Sequence, residues 1–168
     1  MIKEEYLEII MKINDIENRF WELDEAGEDY PNQVEALGLE VNLLGLDDIK
    51  LPIIPKKPNE VIESYIVLDS EFEFPVIYEI PFEIYGEVTE TLYEVYTNFR
   101  DRSQFYDSVG ITLSNLIALV LNCKGLSITS FKSSVQMNNV RYWNNMPYTN
   151  NLLSMVSKGD NKNTPFSR

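Results

Sequence analysis

The chain has no histidine, a single cysteine, and only 14 lysines and arginines among its 168 residues. Each shortage removes a class of function. Without histidine there is neither a Ser-His-Asp nor a Cys-His arrangement, and the commonest general base and zinc ligand is missing. The lone Cys123 forbids an intramolecular disulfide and stands in an apolar stretch, where a thiol is usually inert packing. Seven glycines are scattered at 27, 38, 45, 86, 110, 125 and 159, so no glycine-rich phosphate loop can form. The longest uninterrupted apolar run, Leu116–Leu121, is far too short to span a membrane. The opening Met1-Ile2-Lys3-Glu4-Glu5-Tyr6 places acids where a signal peptide carries bases and an apolar core. The expectation is a cytoplasmic protein with no membrane partner.

Acid is what the sequence has in excess. Twenty-seven aspartates and glutamates give a net charge of −13 and a pI near 4.4. Residues 1–107 carry 26 acids against 8 bases, a balance of −18, while residues 108–168 carry 1 acid and 6 bases, a balance of +5. Such a division implies two chemically different surfaces. With 44% hydrophobic and 12% aromatic residues the chain can bury a core. Its length suits one acidic globular domain over residues 1–157, with a flexible tail over 158–168.

From Lys3 to about Ala26, Tyr6, Ile9, Ile10, Ile13, Ile16, Phe20 and Leu23 recur at helical spacing, which predicts an amphipathic helix ending near Gly27. Residues 30–46 fit a helix through Val34, Leu37, Val41 and Leu44, weakened by Gly38 and Gly45. Three prolines between Pro52 and Pro58 make an extended connector. Val61–Leu68 is rich in strand formers. Beyond it every even residue from Phe72 to Ile84 is apolar, with Glu73, Glu79 and Glu83 among the odd ones. This predicts a half-buried strand with an acidic face, at a sheet edge or bent because of Pro75 and Pro81. Residues 88–99 admit two readings. A hairpin strand gains from Thr89, Thr91, Val95 and Thr97 but sets glutamates opposite one another; a helix has the stripe Val88, Leu92, Val95, Phe99, with Thr91 and Glu94 as a capping box. β-Branched content tips the choice to the strand. Ile111–Cys123 reads as a buried helix stopped by Gly125, and Leu152–Val156 as a last short helix.

The fold class expected is therefore α+β: an N-terminal amphipathic helix, a small antiparallel sheet in the middle, and a C-terminal helical part packed on it. The carboxylate clusters Asp24–Asp29 and Asp69–Glu71 lack the alternate-position ligands and glycine of a calcium loop. Asp47-Asp48-Ile49-Lys50 has the acid-x-Lys spacing of metal nucleases, in residue types common enough to recur by chance. No catalytic residue, metal ligand or cofactor is expected. A negative surface instead suits a basic protein partner and keeps nucleic acid off that face. The residues expected to contribute are Glu22, Asp24, Glu25, Glu73, Glu79 and Glu83, with Arg141 and Trp143 as an arginine–aromatic contact elsewhere. The function this favours is that of an immunity-type protein neutralising a basic toxin or nuclease. A DNA mimic acting on a nucleic-acid-binding protein and an acidic assembly subunit are the alternatives, and an enzyme ranks last. Composition leaves the oligomeric state open.

Overall fold

A computed structural model describes residues 3–67, 76–133 and 151–157. The chain is α+β: among the described residues a small three-stranded antiparallel sheet takes two strands from the middle of the sequence and a third from beyond three intervening helices, with helices on both sides. Helix α1 spans Lys3–Trp21 and buries Ile9, Ile10, Ile13, Ile16 and Phe20, the stripe its spacing implies. It ends five residues earlier than the pattern suggests. The Asp24 carboxylate accepts the Ala26 N–H at 3.0 Å and the Asp24 carbonyl accepts Gly27 N–H at 3.0 Å, a turn that competes with another helical turn. Helix α2, Tyr30–Asn42, has Pro31 in its first turn, where no donor is lost, and it runs through Gly38. Gly45, at φ +68°, turns the chain into a short 3₁₀ helix, Leu46–Asp48.

The proline-rich connector is extended and anchored at one point. Ile54 N–H donates to the Ile128 carbonyl and Ile128 N–H to that of Pro52, both at 2.9 Å, a parallel bridge to the chain beyond the last long helix. Strands β1 (Ile62–Val67), β2 (Val76–Pro81) and β3 (Ser130–Ser133) pair antiparallel in the order β1-β2-β3. Val76, Tyr78 and Ile80 are buried and Ile77 and Glu79 only half-buried, as the alternation implies. Of the two expectations for this strand, the edge position is overturned, since β2 is the central strand, while the chain does turn out of the strand directly after Pro81. Pro81 is tolerated because it is the last residue, facing only Ile62, whereas pairing to β3 stops at Glu79. Alternation also stops there. Phe82–Ile84 form a 3₁₀ turn in which Phe82 is 61% exposed. Phe72, Phe74 and Pro75 lie outside the described residues, as does the expected tail over 158–168.

Residues 85–101 are helix, not strand. Helix α3 (Tyr85–Asp101) buries Val88, Leu92, Val95 and Phe99 along one stripe. Its threonines, which favoured a strand, donate their hydroxyls to the carbonyl one turn back: Thr89 to Tyr85, Thr91 to Glu87 and Thr97 to Tyr93, at 2.8–2.9 Å. With the helix starting at Tyr85, Thr91 is interior and caps nothing, and the glutamate-against-glutamate pairing of a hairpin is avoided. The helix breaks at Arg102, and α4 (Ser103–Val109) follows and closes at Gly110, φ +82°. Thr112 and Asn115 form a reciprocal capping box that opens α5 (Leu113–Lys124), and Gly125 at φ +71° ends it. α5 lies at 100° to α4. It buries Leu113, Leu116 to Leu121 and Cys123, so it is the helix around which α1, α3 and the short α6 (Leu152–Ser157) gather. One contiguous apolar cluster runs from Ile9 to Met155 and includes the inner face of the sheet.

Candidate partner-binding surface

The acids of the first third are presented by a helical hairpin, α1 and α2. Arg19 clamps the two helices: its guanidinium donates to both Glu40 oxygens, at 2.9 and 2.6 Å, and to Asp15 at 3.1 Å. The bidentate bond to Glu40 raises the Arg19 pKa above its ordinary value, and the same bond lowers that of Glu40. Lys12 lies 3.8 Å from Glu8. Two of the three bases in residues 1–42 therefore face carboxylates of their own hairpin, while Glu22, Asp24, Glu25, Glu28, Asp29 and Glu35 remain exposed. The turn is fastened to α4 by Gln104, whose amide donates to Glu25 at 2.8 Å.

Leu39 on the solvent face of α2 and Leu43 at its C-terminal cap are 58% and 88% exposed, in line with exposed Glu35 one turn before Leu39. Two adjacent exposed leucines in an acidic field are unlike a face kept only for solubility. The signal for them was in the sequence: Val34, Leu37, Val41 and Leu44 already supply α2's inner stripe, which leaves Leu39 and Leu43 on the outside.

Of the acids singled out from sequence, Glu22, Asp24 and Glu25 come together, exposed, at the α1–α2 turn. Glu79 is half-buried in β2, where its carboxylate accepts the Ser130 hydroxyl and its carbonyl accepts both Thr129 donors at 2.9 Å. Glu83 is exposed in the 3₁₀ turn rather than on the strand. Glu73, Arg141 and Trp143 lie outside the described residues. The Asp47–Lys50 segment borders an open cleft between α5 and the sheet. No three acidic or thiol side chains converge as a metal-ligand set among the described residues, and no helix there is both long and apolar enough to cross a membrane. Burial pushes the Cys123 thiol above its ordinary pKa, against the weaker pull of Lys3 and Lys124.

One carboxylate is shifted upward. Glu94 of α3 is raised from 4.5, first by desolvation and then by neighbouring Glu90, with Lys124 opposing. A folded-state pKa above the unfolded one means that the native state holds the proton more tightly. Its stabilising contribution is complete below 4.5 and is lost as pH rises through the folded value. Glu94→Gln should therefore raise the urea midpoint at pH 7 and leave it nearly unchanged below the ordinary glutamate range. A variant less stable than the parent at pH 7 would contradict the assignment.

No protein-family model matches the chain, and no curated protein or solved structure shows significant similarity to it.

Proposed function

We propose that the protein is a binding protein of the immunity type, which neutralises a basic toxin or nuclease by covering it with the acidic α1–α2 hairpin. The observation that carries this reading is the pair Leu39 and Leu43, exposed toward the C-terminal end of α2 on an acidic hairpin two of whose three bases already face its own acids. Apolar contacts at a desolvated centre supply residence time, and a charged surround supplies approach rate and selects the sign of the partner. The α1–α2 turn acids do the steering, and no catalytic group is required of this chain.

The test is capture from the native host at low salt, followed by assay of the retained protein's toxicity or nuclease activity with and without this chain. A basic toxin or nuclease that loses activity supports the reading; a restriction or repair complex points to DNA mimicry instead. Reversing the exposed Glu22, Glu28 and Glu35 to lysine, which keeps the turn-forming Asp24 and the Gln104-bound Glu25, should slow association about tenfold at low salt and flatten its salt dependence, with folding stability little changed. Replacing Leu39 and Leu43 by serine should mainly speed dissociation. Unaltered kinetics in both variants would exclude the hairpin as the interface.

A further inference from the structure

Where the end of the 3₁₀ helix Leu46–Asp48, the first turns of α5 and strand β3 approach one another, they leave an open cleft of about 220 Å³. Its apolar side includes Tyr78 and Ile117, both buried, and the ring of Phe131, which is half exposed and stacks on Tyr78 at 6.1 Å and 24°. Its polar side is formed by residues of opposite charge, Asp47 and Lys50, together with Ser114, all three exposed. Asp47 accepts the Asn115 amide through Oδ1 at 3.1 Å, which fixes its orientation, and Oδ2 has no partner among the described residues. Lys50 makes no ion pair there either, although its carbonyl is held by Asn122 at 2.8 Å. The Asp47 carboxylate is thus oriented and the Lys50 backbone held at the cleft rim, and the two charges do not pair with each other.

We propose that this cleft binds a small aromatic zwitterion, of the size and chemistry of a free aromatic amino acid. The ring stacks beside Phe131, half exposed in the cleft lining; Asp47 takes the ammonium; Lys50 and Ser114 take the carboxylate. The volume fits. A cavity of about 150 Å³ accepts benzene, so this one has space for a ring and a three-carbon polar chain. The inference stands apart from the hairpin reading, since none of its residues belongs to α1 or α2.

The test is titration of the isotope-labelled full chain with L-phenylalanine, followed by amide chemical shifts. Shifts centred on residues 47–51, 114–118 and 131 are expected, saturating in the millimolar range or below. Phenethylamine, lacking the carboxylate, and 3-phenylpropionate, lacking the ammonium, should each bind about tenfold more weakly, and leucine should bind more weakly than phenylalanine. Asp47→Asn and Lys50→Gln, both at exposed positions, should weaken phenylalanine about tenfold while the spectrum elsewhere stays that of the folded parent. Three results would each overturn the proposal: no saturable shift at these residues up to 10-fold above the millimolar range, equal affinity for phenethylamine and phenylalanine, or undiminished binding by both charge variants.

Discussion

Arg102→Met is expected to destabilise the protein by about 3–5 kcal/mol, because it leaves a carboxylate buried without its cation. Arg102 stands at the break between α3 and α4, and its Nε lies 3.3 Å from Glu17 Oε2 of α1, with both side chains about nine-tenths buried. The Trp21 indole also donates to that oxygen at 2.9 Å, so Glu17 joins the hairpin to the helix break. The double variant Glu17→Leu/Arg102→Met should recover much of the loss, since a buried pair replaced as a whole leaves no uncompensated charge. Urea melts of the two singles and the double measure the coupling directly. A single variant no worse than Lys12→Met, which loses only an exposed pair to Glu8 at 3.8 Å, would show that the buried pair contributes little.

The second large effect separates two residues that the sequence pattern treats as equals. Ile80→Ala should cost about 2–5 kcal/mol, because Ile80 is fully buried in the central strand and its truncation leaves a cavity. Phe82, at the next even position, is 61% exposed, and Phe82→Ala should stay within about 0.5 kcal/mol of the parent. Equal losses would mean that the alternation continues past Pro81 and that the 3₁₀ turn is misplaced.

The contrast shows what the sequence could convey. Period-two alternation places Val76, Tyr78 and Ile80 inward because a strand has only two faces, but it carries no information about where the strand stops. Pro81 looks like an edge signal, yet its meaning depends on where a strand 49 positions further along the chain ends its pairing, at Ser130. α1 and α5 were legible for the same reason as β2: one dominant periodicity, closed by identifiable turns. α3 was not, since Thr89, Thr91 and Thr97 count toward a strand by propensity and can still satisfy a helix through hydroxyl bonds to preceding carbonyls. For the candidate surface, the −18 of residues 1–107 pointed to the hairpin acids Glu22, Asp24 and Glu25 without separating them from Glu79, which the sheet has already engaged. The cleft was beyond reach altogether. Asp47 and Lys50 are close in sequence, but Ser114 and Phe131 join them only after tertiary packing.

The place of β3 in the sheet sets an order of events during folding. β1 and β2 are neighbours in sequence, whereas Glu79 and Ser130, opposite one another across β2 and β3, are 51 residues apart. Most of what lies between them is the α3–α4–α5 run, so that pairing rewards the chain only after a long loop has been closed. Local helices form in about a microsecond or less and shorten that loop before the strands meet. The third strand is therefore expected to join last, and on a ribosome it has to wait until α5 has emerged. Until then the β3-facing edge of β2 lacks its partner, and a nascent chain halted within α5 displays that edge to any other extended segment nearby.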